Sequence, residues 1–167
     1  MWSQHFVGGK WIEGTGKRLY VNKNPFNGEE LAQIRLASRQ EIDQAYKAAR
    51  QAQPAWAQVP PAKKTELLKR VIQLLEERTA ELIHWLIAET GSTLGKAQAE
   101  VQIALGKLHE ACEFPHQLTE ERFPSTIPGK ENRVVRKPLG VIGVISPFNF
   151  PCGAARRPAQ RDRDGSG

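Results

Sequence analysis

The stretch that most restricts how this chain can fold runs from Pro138 to Pro151: Pro-Leu-Gly-Val-Ile-Gly-Val-Ile-Ser-Pro-Phe-Asn-Phe-Pro. From Val141 to Ile145 only Gly143 interrupts the large apolar side chains, and no polar residue is left to face water. A half-exposed strand would alternate; a short unbroken apolar run bounded by turn residues suits a strand covered on both faces, as in a parallel sheet. Helices must supply that cover, so the expected fold class is α/β. Open α/β sheets place their ligands beyond the carboxyl ends of their strands. Here that end is Ser146-Pro147, and Pro147 and Pro151 stiffen the exit loop. Between them sits Asn149. Its amide donates hydrogen bonds without carrying charge, which suits a developing oxyanion. The plainer role is a turn asparagine bonded to its own backbone.

The rest of the chain reads as a frame for that strand. Residues 5–12 and 18–23 are expected as strands of a hairpin, with Gly14 and Gly16 at the turn. Asn24-Pro25 and Asn27-Gly28 mark a further turn, and Leu31 to Leu36 alternates like an edge strand. Ser38 is placed as an N-cap with Glu41 as its capping-box partner, opening a helix to about Gln53, before Pro54. Pro60-Pro61 opens a second helix with Leu68, Val71, Ile72, Leu75, Leu82, Ile83 and Leu86 on one face, ending at Thr90-Gly91. A third, from about Thr93 to Glu113, carries Ala97, Val101, Ala104, Leu105, Leu108 and Ala111 as its apolar stripe. Residues 115–132 are turn-rich, and Val134-Val135 reads as a strand leading to Pro138.

Composition narrows the function. The chain has 167 residues and a formal charge of +6. Its Lys and Arg are spread through amphipathic helices without aromatic clustering, so a nucleic-acid partner is not expected. No run approaches the roughly 18 apolar residues of a membrane helix, and the N-terminus shows no secretory signal. Cys112 and Cys152 form no disulfide framework. A cytoplasmic location is expected. The four histidines show no metal-ligand spacing, so no metal is expected. Cys112 lies beside the stripe of the third helix, where packing is the expected role.

Residues 138–151 closely resemble the aldehyde dehydrogenase superfamily, whose cofactor domain begins with Pro-Leu-Gly-Val-x-Gly-x-Ile-[Ser/Thr]-Pro-[Trp/Phe]-Asn-[Phe/Tyr]-Pro. Three upstream landmarks follow in family order: His5-Phe6-Val7-Gly8-Gly9-Lys10-Trp11, Asn24-Pro25-Phe26-Asn27-Gly28-Glu29 and Glu89-Thr90-Gly91. Phe148, where many members carry Trp, leans toward the bacterial benzaldehyde- and vanillin-type branch.

The resemblance implies the N-terminal part of an aldehyde dehydrogenase fold: oligomerisation strands, flanking helices and the first strand of the Rossmann-like cofactor domain. It implies an oxidoreductase that converts an aldehyde, of the aromatic kind for this branch, to a carboxylic acid with NAD or NADP through a cysteine thiohemiacetal. Asn149 takes the oxyanion role. Ser146, Pro147 and Phe148 belong to the loop that touches the nicotinamide-ribose side of the cofactor; their plain reading is a strand-to-loop exit. The family's nucleophilic cysteine and general-base glutamate match nothing in this chain, so the chain alone is expected to be inactive. Homo-oligomers are implied. The alternative is a non-catalytic self-association module or a truncated gene product.

The expected organisation is residues 1–151 as a truncated portion of the dehydrogenase domain and 152–167 as an out-of-frame, disordered tail. Where the family continues with an apolar helix, this chain is small, polar and charged: Arg156, Arg157, Arg161 and Arg163 stand with Asp162 and Asp164. GC-rich codons chosen for residues 152–167 and read one base on encode Val-Ala-Leu-Arg-Ala-Val-Arg-Pro-Ser-Val-Ile-Ala-Met-Gly-Pro, close to the family's continuation.

Overall fold

A computed structural model describes residues 3–152; the expected tail, apart from Cys152, lies outside the described residues. Four short strands come first: β1 (Gln4–Val7), β2 (Lys10–Glu13), β3 (Leu19–Lys23) and β4 (Glu30–Arg35). Four helices follow: α1 (Arg39–Ala57), α2 (Pro61–Glu77), α3 (Thr79–Thr90) and α4 (Leu94–Glu113). A 3₁₀ turn at Phe114–Gln117 leads to a last hairpin, β5 (Glu121–Pro124) and β6 (Glu131–Val134).

The strand pairing differs from the sequence expectation. Residues 5–12 are not one strand but an antiparallel hairpin, β1 with β2, reversing at Gly8 and Gly9, whose φ values are 57° and 84°. Only glycine takes up such consecutive left-handed positions without steric cost. Residues 18–23 pair instead with β4 across the Asn24–Gly28 turn. That turn is closed by the Asn24 amide donating to Glu29 O (2.8 Å) and the Gly28 amide to Asn24 O (2.8 Å). Gly14 and Gly16 do not reverse the chain. A Cβ at Gly14 would lie 2.1 Å from the Arg35 carbonyl oxygen, and one at Gly16 would lie 2.4 Å from that of Leu36. These glycines serve close backbone approach, a need indistinguishable from a turn in sequence.

Ser38 caps α1 as expected, and both halves of its capping box form: its Oγ accepts from the Glu41 amide, and Glu41 Oε2 accepts from the Ser38 amide at 2.6 Å. The Thr15 amide donates to the same carboxylate oxygen at 3.1 Å, tying the strand region to the helix. These backbone donors, Ser38 first and Thr15 second, hold the Glu41 carboxyl below its usual range. Helix α1 carries Pro54 inside it and ends at Ala57. A proline in the last turn removes a single helical hydrogen bond, so three further residues stay helical.

The long helix expected from Pro61 to Thr90 is two helices, divided at Arg78 (φ −106°, ψ 15°). One residue outside helical geometry leaves the apolar spacing on either side nearly in phase, so periodicity does not reveal the break. Gly91 stops α3 in the left-handed conformation at φ 67°. The core lies among α2, α3 and α4: Ile72, Leu86, Ala97, Val101, Leu105 and Cys112 are buried together, with Leu68, Leu75, Leu82, Ile83, Ile87 and Leu108 packed against them. Cys112 is thus a core residue. The turn-rich segment at 115–132 contains β5, whose partner β6 is the strand expected at Val134.

Residues 141–145 are the largest departure. They pair with no strand among the described residues, and apart from half-buried Val141 the segment is exposed rather than covered on both faces. Val144 is 54% exposed and Ile145 98%. The apolar pattern stands, but a parallel strand needs neighbours from elsewhere in a chain, and the described residues contain none.

Candidate functional site

The four residues expected to form the site are contiguous, and the fold presents them together. Ser146, Pro147, Phe148 and Asn149 are all exposed, Phe148 to 84%. The Phe150 amide donates to Pro147 O at 3.4 Å, which closes a turn with Phe148 and Asn149 at its centre. The Asn149 side chain makes no hydrogen bond within the described residues, so its amide is free to meet a ligand. The plain role, bonding its own backbone, is not taken up.

The anchor of this turn is on α4. Glu100 is fully buried at 0% exposure, in the middle of the apolar stripe. Its Oε1 accepts the Cys152 amide at 2.8 Å, and its Oε2 pairs with the Lys96 ammonium one helical turn earlier. Lys96 Nζ also sits 5.0 Å from the centroid of the Phe150 ring, within cation–π range. Helix α4 therefore grips both neighbours of Pro151: Phe150 through its ring and Cys152 through its backbone. Sequence reasoning missed Glu100. The signal was present, since a glutamate at 100 interrupts the stripe of Ala97, Val101 and Ala104, and a lone buried carboxylate requires a partner.

Neither cysteine is arranged as a nucleophile. Cys112 is buried in the core. The Cys152 thiol is pushed above its ordinary pKa, by burial first and by the Glu100 charge second, with Lys96 opposing. A raised pKa lowers the thiolate population that would attack. Among the described residues no group of three or more His, Cys, Asp and Glu is placed to hold a metal ion.

Phe148 is exposed, as are Ser146 and Asn149 on either side of it in the loop. No glycine-rich phosphate loop follows in the described residues, so they provide no cradle for the pyrophosphate.

The aldehyde dehydrogenase family pattern matches residues 11–159. The chain belongs to that family. Over 149 residues it is 43% identical to the vanillin dehydrogenase of Corynebacterium glutamicum and 40% identical to benzaldehyde dehydrogenase YfmT of Bacillus subtilis. Each alignment takes in 89% of this chain and 31% of the relative. The crystal structure of an NAD-dependent benzaldehyde dehydrogenase from Corynebacterium glutamicum superposes with a TM-score of 0.86 at 43% identity, covering 89% of this chain and 32% of that one. An NADP-dependent enzyme of E. coli superposes with a TM-score of 0.88 at 25% identity, over 92% of this chain and 32% of that one. The chain thus spans about a third of the length of its aldehyde dehydrogenase relatives, and the α/β fold class expected from residues 138–151 holds for its N-terminal portion. No helix among the described residues is long and apolar enough to cross a membrane.

Proposed function

We propose that this chain is the N-terminal portion of a cytoplasmic, NAD(P)-dependent aldehyde dehydrogenase of the benzaldehyde and vanillin type, with Asn149 as the oxyanion donor. The observation that carries this reading is the Pro147–Pro151 turn, which presents an uncommitted asparagine amide on a loop tied to α4. The identity to vanillin and benzaldehyde dehydrogenases supports the substrate class.

In this reading the Asn149 amide donates to the aldehyde oxygen as negative charge builds on it. A neutral donor already in place needs no reorganisation during the reaction. Phe148 and Ser146 line the nicotinamide-ribose side. The bound nicotinamide supplies the hydride acceptor. The attacking thiolate is not placed at Cys112, which is buried, or at Cys152, whose thiol burial shifts away from the thiolate, and the family's general-base glutamate matches nothing in this chain. The 167-residue chain alone is therefore expected to produce no aldehyde-dependent NADH.

The test uses an intact enzyme in which residues 1–152 are followed by the remainder of the vanillin dehydrogenase relative. With benzaldehyde and NAD, Asn149→Ala is expected to lower kcat by roughly 10²–10³ with KM for NAD little changed. Single-turnover rates apply where product release limits. An unchanged rate demotes Asn149 to a turn residue.

A second reading, a module that associates with itself or with an intact paralogue, is favoured by β5 and β6, in which every residue is exposed. Unpaired strand edges recruit further strands. A discrete oligomer of the 167-residue chain on size-exclusion chromatography supports it; a monomer removes it.

A further inference from the structure

Helix α4 holds a carboxylate that packing does not explain. A fully buried glutamate forgoes hydration, and only well-placed partners offset that loss. Glu100 has such partners on both oxygens: the Lys96 ammonium and the Cys152 amide at 2.8 Å. Lys96 precedes Glu100 by four residues, the weaker order for a helical ion pair, so the pair is poorly accounted for as support for α4 itself. Its polar and ring contacts beyond the pair lead to the exit loop. The ammonium faces the Phe150 ring at 5.0 Å, and Phe150 closes the turn that carries Asn149. Among the described residues, no backbone amide from 139 to 149 donates a hydrogen bond to another backbone group. The grip at Phe150 and Cys152 fixes the end of a segment that passes Tyr46 of α1 at Gly143 but donates no backbone hydrogen bond of its own.

We infer that Glu100 is a positioning residue for the Asn149 turn: its buried carboxylate, held by Lys96, pins the backbone at Cys152 and thereby sets where the Asn149 amide is presented. The catalytic consequence rests on the reading of Asn149 as the oxyanion donor; the positioning itself does not.

Two measurements separate these levels. The first is amide hydrogen exchange on the 167-residue chain. Glu100→Ala is expected to speed exchange about tenfold at both Cys152 and Phe150, the size of one lost hydrogen bond, with the amides of Val101 to Leu105 unmoved. Phe150 is the decisive probe, because its amide bonds Pro147 and not Glu100. Acceleration confined to Cys152 overturns the inference. Should Glu100→Ala loosen α4 as a whole, Glu100→Gln is read instead. It keeps the shape but offers one acceptor oxygen where two donors meet, so Phe150 is again expected to exchange faster, and an unmoved Phe150 overturns the inference.

The second measurement uses the intact enzyme described above, with benzaldehyde and NAD. Glu100→Gln is expected to lower kcat about tenfold while KM for NAD holds, and to cost nothing further once Asn149→Ala is present, as for two residues acting through one interaction. An equal loss with and without Asn149 overturns the positioning role. An Asn149→Ala enzyme of unchanged kcat overturns the oxyanion reading instead, and leaves the exchange result to decide the positioning.

Discussion

Val101 lies on the apolar stripe of α4 and Ile145 in an apolar run, yet Val101 is 1% exposed and Ile145 is 98% exposed. The difference lies in how each element satisfies its backbone. Helix α4 closes its own hydrogen bonds, and its apolar stripe meets α2 and α3, which come just before it in the chain. An extended segment closes none of its own. It needs neighbouring strands, and for a parallel sheet those arrive only after a long crossover. Similar hydrophobicity therefore leads to opposite burial, according to how far along the chain the partners lie.

The sharpest challenge to this contrast is hydrogen exchange. Amides of Val101 to Leu105 are expected to exchange at least about a thousandfold more slowly than those of Val141 to Ile145, as core helices and untethered segments differ. Equal rates would mean that the extended segment finds partners in solution. Next in size is the response to truncation. Leu105→Ala should cost about 2–5 kcal/mol in denaturant unfolding, whereas Ile145→Ala should stay within about 0.5 kcal/mol, the range of exposed sites. A large cost at Ile145 would break the comparison.

A smaller effect sharpens it at the other end of the helical region. Ser38→Ala removes the side-chain half of the α1 capping box and should cost about 0.5–2 kcal/mol, again read by denaturant unfolding. The smallest is a pH effect at Glu41. Its folded-state pKa is lowered by the Ser38 and Thr15 amides, so its stabilisation is fully present above the ordinary glutamate pKa of about 4.3. It is lost as pH falls through the depressed folded value. Glu41→Gln should therefore flatten the decline in stability between the ordinary glutamate pKa and the depressed folded value, and leave the slope between about pH 6 and 8 unchanged. An unaltered acid limb would show that the carboxylate is not what the two amides hold.

Local features were the legible ones. The Ser38–Glu41 capping box, the Gly91 stop and the core stripe of Ala97, Val101 and Leu105 are set by neighbours within a few residues, and the structure holds each where the sequence places it. Close-range ambiguity hid others. Gly14 and Gly16 read as a turn but serve contact with Arg35 and Leu36, and the Arg78 break leaves no mark in the periodicity. The exit loop was legible through its motif, Ser146 to Asn149; its anchor was not, because Glu100 and Cys152 are brought together only by folding.

The sequence by itself determined which segments are helical, the Ser38 cap, the Gly91 stop, the apolar character of residues 141–145 and the family, because each depends on residue types at short, fixed spacing. Tertiary structure alone decided that β3 pairs with β4, that Glu100 is buried beneath the Pro147–Pro151 turn, and that Ile145 stands in solvent. Those outcomes depend on which distant groups meet, and a hydrogen bond or a buried surface exists only where a partner has arrived to form it.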